Sequence, residues 1–116
     1  MKNYSELSDF EINKAVAIHR GHQCYYGDGS YTNDGLNVTV KGNGRIGWFN
    51  PCRLPEDAWP IIVENRIMLN PYCADNEWKS EVPCGVDGSF TKYATAYHKN
   101  PLRAAMIVYL MMKDGE

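Results

Sequence analysis

The chain has 116 residues, of which 44% are hydrophobic, and a formal net charge of −2. This length and apolar content predict one globular domain over residues 1–116, which can bury a core without metal or disulfides. Lysine and arginine form no block, so the charge favours neither nucleic acid nor an anionic membrane as partner. The first residues lack the apolar run of a signal peptide, and no apolar stretch approaches the roughly 20 residues of a membrane span. We therefore expect a cytosolic protein.

The first predicted helix begins at a capping box. Ser8 is its N-cap, and Glu11 follows three residues later. Apolar residues between Ile12 and Ile18 continue the helix, and Gly21 suits its left-handed C-terminal stop.

Turns and short apolar segments alternate in the middle of the chain. Leu36–Val40 has the alternation of a half-buried strand, and Arg45–Phe49 is its predicted return. The glycines of Gly42–Gly47 match the spacing of the dinucleotide-binding fingerprint, but a strand and a loop follow them instead of the required helix. We therefore expect a hairpin turn there.

The second predicted helix runs from Pro55 to about Arg66, with proline first and acids in its first turn. Pro60 lies inside this pattern, so either the first turn is distorted or the regular helix begins at Pro60. Further along, Ile67–Leu69 and Phe90–His98 are predicted strands, and Trp78 is placed in a polar loop between them.

The last predicted helix has the clearest signals. Asn100 is a strong N-cap, Pro101 suits the first helical position, and the body through Met112 is apolar on nearly every side. Such a helix belongs in the middle of a fold. The elements together predict an α+β fold, in which three helices pack on one antiparallel sheet of about four or five short strands and the C-terminal helix is the most buried.

Arg103 lies in the first turn of this helix, where the positive end of the helix dipole disfavours a cation by roughly 0.3–1 kcal/mol. It therefore needs either an ion pair, for which Glu56 and Asp57 are the candidates, or an anionic ligand. In the second case the helix start and nearby aromatic rings would bind phosphate and purine groups. The candidate ligand-binding residues are Arg103, Asn100, Trp59, Tyr25, Tyr26 and Tyr31.

Motifs of catalysis and metal binding are absent from the sequence. It has no Gly-x-Ser-x-Gly, no His-Glu-x-x-His and no phosphate loop with a lysine, so we expect no enzyme and no cofactor. His19, His22 and Cys24 form a cluster without a second pair of ligands, so we expect no metal. The four cysteines form no Cys-x-x-Cys pair and are expected to be reduced thiols.

Three segments, Glu6–Ala17, Pro55–Ile67 and Asn100–Met112, together resemble the NinX-like proteins of lambdoid phages, small accessory proteins of unassigned function. The same order of helices is similar to the phage ABA sandwich domain. The resemblance implies α-β-α layering, a phage or prophage origin and action in the host bacterial cytoplasm. It implies no catalytic residue.

Two functions from different classes follow. The first is counter-defence by binding and sequestering a nucleotide-type immune signal, which requires a concave pocket lined by Arg103 and aromatic residues. The second is a protein-binding inhibitor or adaptor that acts on a host or phage protein, which requires a flat or convex aromatic patch. Self-association is left open.

Overall fold

Three α-helices and five strands are present in the computed structural model, which describes residues 3–43, 47–71 and 74–114. The helices are α1 (Asp9–His19), α2 (Pro55–Asn65) and α3 (Pro101–Asp114). The strands are β1 (Val38–Thr39), β2 (Trp48–Phe49), β3 (Met68–Asn70), β4 (Trp78–Asp87) and β5 (Phe90–His98). The predicted α+β class is confirmed.

The described strands form two antiparallel sheets instead of the single sheet that we expected. β1 pairs with β2, and the larger sheet has the order β3-β4-β5. The central strand β4 was not predicted, because Pro83 and Gly85 interrupt its pattern; the strand register shifts between these two residues, as at a β-bulge. Trp78 consequently begins a strand and is not in a loop. The turn expected between β1 and β2 includes residues 44–46, which lie outside the described residues.

Local signals predicted both ends of α1 correctly. The Glu11 backbone N–H donates to Ser8 Oγ over 3.1 Å, and the Ser8 N–H donates to the Glu11 carboxylate over 3.0 Å, which confirms the capping box. Gly21 has a φ of +76°, and the next N–H, of His22, reaches back to the carbonyl of Ala17 over 3.0 Å. This is the predicted left-handed end of α1.

α2 runs without a break through Pro60 and ends at Asn65. Arg66, the predicted last residue, instead caps the helix with a φ of +55°. The helix therefore begins at Pro55, and the alternative in which it begins at Pro60 is wrong.

Helix α3 is the centre of the fold. It contacts all three strands of the larger sheet and both other helices. Every residue from Arg103 to Leu110 is buried, which confirms that the C-terminal helix is the most buried one. Each large apolar side chain buried in this way contributes roughly 1.5–3 kcal/mol.

The larger sheet has an inner face, which packs on α3, and an outer face. Ser80 and Val82 of β4 and Ala94 of β5 are buried on the inner face. Side chains alternate between the two faces of a strand, so the residues between them lie on the outer face. Those outer side chains are largely exposed, so the expected α-β-α layering is not confirmed.

Tyr4 fastens the N-terminal 3-10 helix (Tyr4–Glu6) to the end of α3. Its side chain is buried, and its hydroxyl donates to the carboxylate of Asp114. Burial and this hydrogen bond raise the pKa of Tyr4 to about 12. Since the phenol titrates near pH 10 in an unfolded chain, the neutral phenol contributes stability that is complete below about pH 10.

We expect this contribution to be lost as the pH rises from about 10, the unfolded pKa, towards the folded pKa of Tyr4. Urea denaturation at a series of alkaline pH values measures it as a decline in the free energy of unfolding. The Tyr4→Phe variant should decline less steeply over the same range, because it has no phenol to ionise. Parallel curves for the two proteins would contradict the assignment.

Candidate functional site

Arg103, the first of the predicted ligand-binding residues, is buried and bonds to other residues of the protein. Its guanidinium Nη1 donates to Asp9 Oδ1 over 2.6 Å, and Nη2 donates to the carbonyl of Leu7 over the same distance. The expected partners, Glu56 and Asp57, were wrong, because the start of α3 packs beside the start of α1. Arg103 thus has the internal ion pair that was one of the two alternatives.

Asp9 is shared by two arginines. Its other carboxylate oxygen accepts from Arg53 Nε over 3.1 Å. Burial alone raises the pKa of Asp9, but the hydrogen bonds from Arg103 and Arg53 outweigh it and leave that pKa below its ordinary value. The carboxylate is therefore charged at neutral pH and forms an ion pair with Arg103.

Asn100 also serves the fold. Its Oδ1 accepts the N–H of Leu102 over 2.9 Å, which confirms the predicted N-cap. Its Nδ2 donates to the carbonyl of Cys52 over 2.6 Å, and the Cys52 N–H in turn donates to Oδ1 of Asn13 in α1. The Arg103 backbone N–H also donates to Asn100 Oδ1 over 3.4 Å, so Asn100 and Arg103 are parts of one partly buried polar network that joins α1, the loop before α2, and α3.

The predicted aromatic residues lie elsewhere. Trp59 is 58% exposed on α2, one turn before the exposed Val63. Tyr25 is exposed and makes an edge contact with Tyr26, their ring centroids 5.1 Å apart, whereas the Tyr31 hydroxyl donates to the carbonyl of His22. No hydrogen bond or ring contact among the described residues joins these aromatic side chains to Arg103.

The outer face of the larger sheet carries four exposed large apolar side chains. Pairing across the three strands places Met68, Glu81 and Thr95 side by side in one row. In the rows on either side of it, Tyr97 pairs with Lys79, and Tyr93 pairs with Pro83. Further along the same face lies Val86. The exposed fractions are Met68 37%, Tyr97 48%, Tyr93 54% and Val86 73%.

A polar row crosses the middle of this face and is internally bonded. Thr95 Oγ1 donates to Glu81 Oε2 over 2.8 Å, and Lys79 Nζ lies 3.9 Å from the same oxygen. These contacts therefore fix the conformations of the polar side chains, which lie between Tyr93 and Tyr97. Sequence reasoning missed this face together with β4; the alternation of Trp78, Ser80 and Val82 with charged residues was the signal that could have revealed it.

Beyond the bulge, β4 and β5 form an arm, residues 85–93, whose side chains are exposed on both faces. Gly88 begins its two-residue turn with a φ of +63°, a conformation that suits glycine at this position of a hairpin. Phe90, at the start of β5, is 77% exposed. At the other end of β5, a cavity of about 490 Å³ is lined by residues that include Tyr4, Ala96, Ile107 and Met111.

Comparison with known proteins identifies both the lineage and the fold. The model of the family described as Bacteriophage P22, NinX matches residues 3–113. No curated protein matches the chain. A 2.0 Å crystal structure of a phage protein from Bacillus cereus ATCC 14579 is similar, with a TM-score of 0.64 at 17% sequence identity over 98% of this chain and 93% of that chain. At this identity the likeness concerns the fold alone. None of the described helices is long and apolar enough to cross a bilayer.

Proposed function

Because the chain belongs to the Bacteriophage P22 NinX family, we propose that it is a phage accessory protein that binds a host or phage protein in the host bacterial cytoplasm. The observation that carries the proposal is the outer face, where four large apolar side chains are exposed while the helices pack on the opposite side. A flat or convex aromatic patch was the expectation attached to the protein-binding hypothesis, and Tyr93 and Tyr97 are exposed on this face.

The chemistry of the face suits a protein partner. Tyrosine and methionine are enriched in protein interfaces, because they bury a large area and adapt to a partner's shape. The bonded row of Lys79, Glu81 and Thr95 offers polar groups whose side chains are already ordered, so binding loses less conformational entropy there. Tyr93 and Tyr97 flank this row and are the best candidates for the residues that dominate affinity.

Nucleotide sequestration has less support. The hypothesis was motivated by the expected lack of an anionic partner for Arg103. Asp9 is that partner, in an ion pair with an N–O distance of 2.6 Å. Two of the other candidate residues, Trp59 and Tyr25, are exposed and make no hydrogen bond or ring contact with Arg103 among the described residues. The proposal is one of binding and assigns no catalytic residue.

Two outer-face variants and one matched control test the proposal. Met68→Lys and Val86→Lys each place a charge on the outer face, and Trp59→Lys places the same charge on an exposed aromatic residue of α2. A partner that copurifies from phage-infected bacteria is itself purified and titrated by calorimetry against the four proteins. We expect the two outer-face variants to weaken binding at least tenfold, about 1.4 kcal/mol, and the control to bind like the wild type.

Other results would redirect the assignment. A partner whose affinity falls only with Trp59→Lys would move the interface to α2 and overturn the outer face. Binding of a cyclic or ADP-ribose-type nucleotide by the wild type, lost with Trp59→Lys and retained with Val86→Lys, would favour sequestration.

A further inference from the structure

One edge of β5 has no partner strand among the described residues. β5 is the outermost strand of the order β3-β4-β5, and no described strand pairs with its second side. Its sequence, Phe90–His98, is rich in aromatic and threonine residues and contains only one lysine. A long edge strand with these properties offers a row of backbone N–H and C=O groups to another strand.

The two ends of β5 are complementary to each other. At one end the Phe90 side chain is 77% exposed, and at the other end the cavity of about 490 Å³ has an apolar floor formed by Ile107 and Met111. Ala96 lines that cavity. Phe90 and Ala96 are six positions apart, an even number, so both belong to the inner-face side of the strand.

We propose that a second copy of this chain occupies this edge, with the two β5 strands antiparallel and Tyr93 of each copy opposite Tyr93 of the other. In this register Phe90 of one copy stands opposite Ala96 of the other. Residues directly opposite in an antiparallel pair point to the same face, so the Phe90 ring enters the cavity beside Ala96, and two-fold symmetry repeats the contact.

The position of the charged residue Lys92 also favours the Tyr93-centred register. Lys92 stands opposite Ala94 of the second copy, so the single lysine of the strand does not face its equivalent. If the two strands are shifted so that Lys92 pairs with Lys92 of the second copy, two like charges come together. If the pairing is centred on Ala94 instead, Lys92 stands opposite Ala96 and points at the apolar cavity. Only the Tyr93-centred register fills both cavities with a phenylalanine.

The pairing also extends the surface described above. The two three-stranded sheets become one continuous sheet with the order β3-β4-β5-β5-β4-β3, and both outer faces lie on its same side. The inference does not depend on the proposed function, because Phe90 lies on the inner-face side of β5 and the floor of the cavity is formed by Ile107 and Met111 of α3. Two other residues that line the cavity, Thr95 and Tyr97, belong to the outer face.

Sedimentation equilibrium of the full chain tests the dimer. We expect the wild type to sediment at twice its 13.2 kDa mass. Phe90→Lys should raise the dissociation constant at least roughly a hundredfold, since it directs a charge into each apolar cavity. Val86→Lys, an equally exposed change on the outer face of the same arm, should remain dimeric. A wild-type protein that stays monomeric up to about 0.1 mM, or a Phe90→Lys protein that remains as dimeric as the wild type, would overturn the proposal.

Cross-linking tests the register independently of affinity. Tyr93→Cys places two thiols opposite each other, within reach of a disulfide, so mild oxidation should join the two copies covalently. Thr95→Cys is the matched control: its thiol lies opposite Thr91 of the second copy and should cross-link no more than the wild type with its own four cysteines. Efficient cross-linking of Thr95→Cys without that of Tyr93→Cys would rule out this register.

Discussion

Replacing Arg103 by alanine should lower the free energy of unfolding by about 3–5 kcal/mol, because it leaves the Asp9 carboxylate and the Leu7 carbonyl without their principal donor in a partly buried site. Urea denaturation at neutral pH measures the loss. The variant should also lose less stability in acid than the wild type. The paired Asp9 has a lowered pKa, so its contribution is complete above its unfolded pKa and is lost as the pH falls through the folded value.

Arg53 supplies the control, since it pairs with the same carboxylate from the surface. Its side chain is 72% exposed, against 9% for Arg103. Arg53→Ala should therefore cost less than about 1 kcal/mol. If Arg103→Ala unfolds like the wild type, the guanidinium is not structural, and the case for a ligand at the start of α3 is restored.

The Asn100→Ala variant should lose about 1.5–4 kcal/mol, because one side chain performs two tasks. It caps α3 at the N–H of Leu102, and it satisfies the buried carbonyl of Cys52. The same denaturation measurement applies. A residue that served only a ligand would leave the stability unchanged.

Ser8→Ala is the comparison for Asn100→Ala. Ser8 caps α1 in an exposed position and bonds only within its own capping box. Its loss should therefore cost about 0.5–2 kcal/mol, less than the loss of Asn100. Equal costs would mean that the bond to Cys52 adds nothing to the cap.

Sequence information was sufficient where the interaction is local. Ser8 with Glu11, Gly21 and Asn100 act within a few residues of themselves, so the ends of α1 and the start of α3 could be predicted. β4 could not, because Pro83 and Gly85 are unfavourable inside a regular strand and are accommodated only at a bulge near the exposed arm. That omission also hid the outer face.

The candidate site shows the same limit at longer range. The misplaced charge of Arg103 correctly predicted that an anion must lie nearby, but Asp9 is 94 positions away in the sequence. Which acidic helix start meets Arg103 depends on how the helices pack. Aromatic content likewise indicated binding surface, but composition cannot show that Tyr31 bonds inward while Trp59 faces solvent.

The central position of α3 has a consequence for synthesis on the ribosome. Translation adds roughly 5–20 residues per second, and α3 follows every element that it contacts. Until α3 has been synthesised, the inner face of the sheet has no helix packed on its apolar side chains, and Asp9 lacks its ion pair with Arg103. The nascent chain therefore carries its strands and its first helix without their common partner until α3 has been synthesised and can pack on them.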